Sequence, residues 1–136
     1  MNEADAAHAG GCLCGQVRYV AQGKPLAVTL CHCDNCRRNT GSAYSVNAIF
    51  PEAAVSVTGD LAVFTDRGDS GHPVLRHFCG RCGTPLRSVA EATRGLFVLK
   101  AGTLDEPERI AVTGAVYCER EVKTWLNPSQ RAVALP

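Results

Sequence analysis

The sequence predicts an all-β fold: a small domain of short strands stabilised by zinc. Short stretches of alternating apolar and polar residues recur along the chain, and glycine or proline interrupts them at close intervals. No segment keeps the period of about 3.6 residues that marks a long amphipathic helix. Eight cysteines occur in 136 residues, and most of them stand in C-x-C or C-x-x-C groups. Such tight spacing suits a metal ion better than disulfides, which join distant segments.

The first half of the chain opens with glycines around a C-x-C pair, where the backbone can turn tightly. Strand-like alternation or apolar runs then predict strands at residues 16–20, 26–30, 43–50 and 54–57. Pro25 and Pro51 mark strand ends, because proline cannot donate to a central ladder. Residues 37–42 are typical of one short helical turn that Gly41 ends.

The second half continues the pattern of short strands separated by turn residues. Strands are predicted at residues 61–65, 74–78, 86–89, 96–100, 110–112 and 115–117. Residues 121–126 fit either a short helix or an extended segment. We therefore predict a single zinc-binding β domain over residues 10–126, with a flexible N-terminal tail at 1–9 and a C-terminal tail at 127–136.

Composition narrows the range of functions. The chain has 14 Lys and Arg against 13 Asp and Glu, so no strong field attracts nucleic acid or an anionic membrane. No apolar run approaches the roughly 18 residues that a spanning helix needs. The N-terminus has neither the basic start nor the apolar core of a signal peptide. A cytoplasmic location is expected, and in that reducing compartment clustered cysteines are more often metal ligands than disulfides.

The C-x-C-x-x-C motif of Cys31, Cys33 and Cys36 is the proposed reaction centre. Alternate residues of a strand point to one face, so Cys31 and Cys33 can aim at one point, and a turn brings Cys36 back to it. Three sulfurs with no obvious fourth ligand fit a catalytic zinc, which keeps one position open, whereas a structural zinc is closed by four ligands.

The remaining paired cysteines form the simplest closed set. Cys12, Cys14, Cys79 and Cys82 would make a four-sulfur structural site that joins segments about 65 residues apart. The alternative is that Cys118 or a histidine completes the three-cysteine motif, which would then be a second structural site. A lone cysteine such as Cys118 is otherwise typical of a buried small apolar residue.

Several motifs are shared with a known family. They are Gly11-Cys12-Leu13-Cys14-Gly15, Cys31-His32-Cys33-Asp34-Asn35-Cys36-Arg37, Thr40-Gly41-Ser42, Phe78-Cys79-Gly80-Arg81-Cys82-Gly83-Thr84 and the late Trp125. In their order and spacing the chain resembles the glutathione-dependent formaldehyde-activating enzyme family, which also includes centromere protein V. The resemblance implies strongly bent antiparallel sheets, a fold shared with a small zinc chaperone of Rab GTPases.

The resemblance also implies the roles of the cysteines and a reaction. It assigns a structural zinc to Cys12, Cys14, Cys79 and Cys82, and a catalytic zinc to Cys31, Cys33 and Cys36. The family's named reaction joins formaldehyde to glutathione and gives S-hydroxymethylglutathione. The chain departs from many members near its C-terminus, where Ala115 begins an Ala-Val-Tyr-Cys stretch in place of a His-Ile-Tyr-Val-like strand. If that histidine handles substrate, the named reaction is affected.

Two functions from different classes follow. The first is a carbon–sulfur lyase or thiol-adduct enzyme that uses glutathione or a similar small thiol and a small aldehyde. The second is a non-catalytic zinc scaffold that binds a protein partner. Cations beside the open site would favour the first, and Arg37, Arg38 and Arg81 are the candidates nearest in sequence. His32 is expected to point away from the metal, because it lies between two ligands on a strand.

Overall fold

The computed structural model describes residues 6–125, and these form ten strands with one short α-helix. The strands are β1 Ala7–Gly11, β2 Arg18–Gln22, β3 Ala27–Cys31, β4 Ser45–Pro51, β5 Val55–Thr58, β6 Ala62–Arg67, β7 Pro73–Phe78, β8 Pro85–Ala90, β9 Leu96–Lys100 and β10 Gly114–Val116. Helix α1, Asp34–Thr40, lies between β3 and β4. The all-β prediction is confirmed. Within the described residues, no helix combines the length and the apolar character that crossing a membrane demands.

The strands form two sheets. The smaller sheet has the order β1-β2-β5, and the larger has the order β10-β3-β4-β9-β8-β7-β6. Neighbouring strands are antiparallel except that β10 runs parallel to β3, an exception to the antiparallel sheets that were expected. The core contains buried side chains from both sheets, among them Val17, Tyr19, Ala21, Val28, Ala48, Phe50, Leu86, Phe97 and Leu99.

The larger sheet has two chemically different faces. On β4, Ala48 and Phe50 are fully buried in the core, as their alternation predicts. Ser45 and Asn47 alternate with them and face the other side, where Ser45 lies opposite Cys31 on β3. This second face therefore carries polar side chains next to the three-cysteine motif.

The N-terminal boundary of the domain was predicted too far along the chain. Residues 7–9, which were assigned to the flexible tail, belong to β1 and pair with β2 over its full length. His8 is buried, with its ring 5.9 Å from that of Phe50. Alanine and glycine gave this strand no alternating pattern to detect. Residues 1–5 and 126–136, including the proposed C-terminal tail, lie outside the described residues.

The strand predicted at residues 110–112 is not formed. This segment is extended without ladder pairing, and strand β10 begins only at Gly114. Thr113 bonds to β3 in place of ladder pairing. Its backbone N–H donates to the carbonyl of Val28 at 2.7 Å, and its hydroxyl accepts from the Val28 N–H at 3.0 Å. A side-chain hydroxyl thus attaches the segment to the edge of β3 before the strand starts.

Candidate functional site

Four cysteine sulfurs meet where two tight turns come together. The Sγ atoms of Cys12, Cys14, Cys79 and Cys82 all lie within 4.8 Å of one another. Two of these separations are 3.6 Å, between Cys12 and Cys14, and 3.8 Å, between Cys14 and Cys79. Zinc–sulfur bonds of about 2.3 Å in a tetrahedron place the sulfurs roughly 3.8 Å apart. The four thiols are free, and their spacing fits a zinc ion.

The two turns that carry these cysteines have a similar backbone pattern. The N–H of Cys12 donates to the carbonyl of Val17 at 3.0 Å, and the N–H of Cys79 donates to that of Thr84 at 2.9 Å. Each turn contains one glycine with a left-handed backbone, such as Gly83 at φ +81. A residue with a Cβ would be strained there. The C-G and C-G-x-C-G patterns of the sequence therefore encode the turns as well as the positions of the cysteines.

Thr84 connects the two turns and acts on a sulfur. Its hydroxyl oxygen accepts from the backbone N–H of Leu13 at 3.1 Å and lies 3.2 Å from the sulfur of Cys82. Hydrogen bonds from the side chain and backbone of Thr84 lower the pKa of Cys82 to about 5. One sulfur of the group is thus readily a thiolate, the form in which cysteine binds metals.

The second group of sulfurs lies where β3 passes into α1. Cys31 is the last residue of β3, Cys33 is the N-cap of α1, and Cys36 is in its first turn. Their Sγ atoms also lie within 4.8 Å of one another. The sulfur of Cys33 accepts the backbone N–H of Cys36 at 3.3 Å, so the helix begins at Asp34, earlier than predicted. It ends at Gly41, which is left-handed as expected at a helix C-terminus.

The charge distribution of the second group also fits a cation. A hydrogen bond from Cys31, followed by one from Cys33 and by the positive charges of Lys100 and Arg76, lowers the pKa of Cys36 to about 5 against the effect of burial. The pKa of Cys31 is raised, first by its hydrogen bond to Cys36 and then by burial. One thiolate surrounded by protonated thiols is the state from which a metal ion displaces protons.

A cleft of about 380 Å³ opens beside the three sulfurs. Its walls include Cys31, Cys33 and Cys36, and the second face of the larger sheet forms its base. Side chains that line it include Thr29, Asn47, Arg76, Ser88, Val98 and Tyr117. The four-cysteine group does not line this cleft. Of the two groups, the three-cysteine group is therefore the one that borders this cleft.

Comparison with known proteins identifies the family. A family model described as glutathione-dependent formaldehyde-activating enzyme matches residues 7–120. The chain belongs to this family. A crystal structure of a Rhodobacter sphaeroides protein has a similar fold, with a TM-score of 0.61 and 19% sequence identity. The match covers 79% of this chain and 99% of that one. The resemblance noted in the motifs is therefore confirmed.

The other candidate ligands lie away from the three sulfurs. Cys118 is exposed, and it does not belong to either sulfur group. His32 is buried and its ring packs edge-on against Tyr44, with centroids 5.4 Å apart. Over residues 6–125, the group that could hold a metal at this position comprises three cysteines, without an imidazole or a carboxylate. The alternative of a fourth ligand from Cys118 or a histidine is not what the structure shows.

The cations beside the sulfurs are not those nearest in sequence. Arg76 on β7 and Lys100 on β9 are 7% and 5% exposed, and it is their charges that act on Cys36. Arg37, which was a candidate, lies instead at 4.0 Å from the carboxylate of Asp34. The sequence offered one hint of these cations, a charged residue within an otherwise apolar strand. It does not show which strands lie side by side, so it could not place that charge beside the sulfurs.

Asp66 holds Arg76 in position behind the cysteine helix. The Nε of Arg76 donates to Asp66 Oδ2 at 2.9 Å. The side-chain amide of Asn35, inside the cysteine motif, donates to both carboxylate oxygens at 3.2 and 3.0 Å. Asp66 thereby joins β6, β7 and α1. Sequence reasoning missed both Asp66 and the role of Asn35.

Replacing Asp66 with asparagine is expected to lower the free energy of unfolding by about 2 kcal/mol at neutral pH, because it leaves Arg76 buried without its carboxylate. Burial alone would raise the pKa of Asp66, but hydrogen bonds and charge from Arg76, with the Arg67 backbone and Asn35, hold it below its ordinary value. The stabilisation is therefore complete above the ordinary carboxyl pKa of about 3.9 and is lost as pH falls through the lower folded value.

Urea denaturation of wild type and D66N across a range of pH measures this effect. The difference between the two proteins should be largest near pH 7 and should shrink towards about pH 3. A difference that stays constant over this range would show that the ionised carboxylate of Asp66 does not stabilise the fold.

Proposed function

We propose that this protein is a zinc-dependent carbon–sulfur lyase, which joins a small thiol such as glutathione to formaldehyde and also catalyses the reverse cleavage. The observation that carries the proposal is that the three-cysteine group lies at the wall of a cleft, while a separate group has a full set of four sulfurs. Membership of the glutathione-dependent formaldehyde-activating enzyme family supports the same reaction class.

The two sulfur groups would have different roles. We assign a structural zinc to Cys12, Cys14, Cys79 and Cys82, and a catalytic zinc to Cys31, Cys33 and Cys36, which makes two zinc ions per chain. Zinc bound by the three thiolates would supply a Lewis acid that favours deprotonation of an incoming thiol near neutral pH. The cysteines of the second group would hold that zinc at the cleft wall, because β3 and the first turn of α1 place them there.

The cleft can accept both reactants. Its volume of about 380 Å³ is within the range of small-molecule sites, roughly 300–1,000 Å³. Thr29, Asn47 and Ser88 offer hydrogen-bonding groups along its base, and Val98 offers an apolar surface. In the forward reaction the thiol sulfur forms a bond to the carbonyl carbon of formaldehyde. The carbonyl oxygen becomes a hydroxyl group by gaining one proton, which balances the proton that the thiol loses.

Charge and cysteine chemistry support the remaining assignments. The balance of 14 basic and 13 acidic residues gives no basis for a nucleic-acid partner. We place the protein in the cytosol, because a reducing compartment keeps thiol ligands free to bind metal. The competing function, a zinc scaffold for a protein partner, has no need of a vacant ligand position beside a cleft.

Catalysis can be measured with ¹³C-formaldehyde and glutathione by NMR exchange spectroscopy. The zinc-loaded protein should raise the exchange rate between formaldehyde and its S-hydroxymethyl adduct by roughly tenfold or more over buffer. The variant C118S should match wild type, because the exposed Cys118 lies outside both sulfur groups. An exchange rate equal to that of buffer, with glutathione and with other small thiols, would contradict the proposed reaction and favour the scaffold.

A further inference from the structure

Lys100 is a buried cation whose hydrogen-bond partners are neutral. It is 5% exposed, and its Nζ donates to Ser45 Oγ at 3.0 Å and to Asn47 Oδ1 at 3.1 Å. Ser45 in turn donates to Asn47 Oδ1 at 2.8 Å. These two partners lie on β4, and Asn47 is directly opposite Lys100 in the register of β4 and β9. The ammonium is therefore fixed in place on the face that carries the cysteines.

The charge of Lys100 needs a negative partner. An ammonium buried among neutral groups alone is costly, and carboxylates normally compensate it. Arg76 has such a carboxylate in Asp66, but among residues 6–125 no carboxylate forms an ion pair with Lys100. Burial lowers the pKa of Lys100, whereas the negative charge of Cys36 acts to raise it, as Cys31 and Cys33 also do. The sulfur group is thus the source of negative charge that Lys100 faces.

Lys100 does not reach the cleft itself. Asn47 lines the cleft, but Lys100, its neighbour across the β4–β9 ladder, is absent from the cleft wall. Its charge can therefore act on bound molecules, while its ammonium is occupied by Ser45 and Asn47 and does not line the space that a substrate carboxylate would enter. From this position Lys100 would act through its charge and not by direct recognition of the carboxylates of glutathione.

We propose that Lys100 is a positioning residue whose charge favours binding of the substrate thiolate beside Cys31, Cys33 and Cys36. The inference rests on the proposed function. Three thiolates with Zn²⁺ carry a net charge of −1, and a fourth thiolate makes it −2. The positive charge of Lys100 changes these totals to 0 and −1, while the Arg76–Asp66 pair contributes no net charge. The site then accepts a thiolate onto a neutral rather than a negative centre.

The test measures thiol binding rather than turnover. Cobalt replaces zinc in the protein, and sulfur-to-cobalt absorption is followed as thiol is added. Two probes are used: glutathione, which carries carboxylates, and 2-mercaptoethanol, which does not. The variant K100M should bind both thiols more weakly by a similar factor, on the order of tenfold or more. K100R, which keeps the charge, should recover most of the affinity.

Arg87 provides a matched control on the opposite face of the same sheet. It is a largely buried cation, which stacks on Phe97 at 3.9 Å and pairs with Glu52 at 3.5 Å. R87M removes an equal charge from β8 but should leave the affinity for both thiols unchanged. Should K100M fail to fold, K100Q serves in its place, because its side-chain amide removes the charge but can still hydrogen-bond to Ser45 and Asn47, and it should weaken binding of both thiols alike.

Each outcome decides the proposal. Equal weakening of both thiols, with recovery in K100R, supports it. Unchanged affinity in K100M or its substitute overturns it and leaves the proposed function intact, as does weakening of glutathione alone, which would mean carboxylate recognition. The absence of any thiol-dependent absorption in the wild-type protein would overturn the role of Lys100 together with the proposed function.

Discussion

The substitution of Cys82 by serine is expected to unfold the protein or to abolish its soluble expression. Cys82 belongs to the four-sulfur group, which joins turns separated by 65 residues between Cys14 and Cys79. A structural zinc contributes roughly 10–16 kcal/mol of apparent binding free energy in finger peptides. The whole stability of a small domain is only about 5–15 kcal/mol. Loss of one ligand from this group should therefore exceed what the β-sheet core can offset.

Circular dichroism, thermal unfolding and zinc analysis of purified C82S measure this effect. The protein should be insoluble, or should show neither a cooperative transition nor bound zinc. Soluble C82S with a wild-type melting temperature would contradict the structural role of the four-sulfur group.

The substitution of Cys33 by serine is expected to abolish activity while the fold is kept. Cys31, Cys33 and Cys36 come from one short segment, so a metal there closes only a small loop and restrains the unfolded chain little. The serine hydroxyl can also replace the Cys33 sulfur as the acceptor at the N-terminus of α1, because serine is a preferred N-cap residue.

Metal analysis and the formaldehyde exchange assay together test C33S. We expect one zinc per chain in place of two, a melting temperature within a few degrees of wild type, and exchange reduced on the order of a hundredfold or more. C82S is the paired comparison. If both substitutions damage the fold equally, the two sulfur groups are both structural and the proposed catalytic role is wrong.

The cysteine groups could be predicted because their ligand patterns are local in sequence. A C-x-C that begins at the last residue of a strand and leads into a helical turn brings Cys31, Cys33 and Cys36 together within one short segment. The same holds for the glycine-containing turns around Cys12 and Cys79. The strands that frame them were predictable from alternation, as β4 illustrates with Ala48 and Phe50 in the core.

The charged surroundings of the second group could not be predicted in this way. Lys100 meets Ser45 across 55 positions, and Asn35 meets Asp66 across 31, so both contacts depend on strand order and register. Strand β1 was missed for a different reason, because its small residues carry no apolar pattern and it forms only by pairing with β2. Local sequence therefore predicted the two sulfur groups but not the charged groups that surround the second one.

A crystal structure of the zinc-loaded protein with glutathione tests the central claim most directly. We expect zinc at both sulfur groups, with the glutathione sulfur about 2.3 Å from the metal held by Cys31, Cys33 and Cys36. A fourth protein ligand on that metal, either Cys118 or an imidazole, with glutathione absent from the cleft, would contradict the claim that this site receives a substrate thiol.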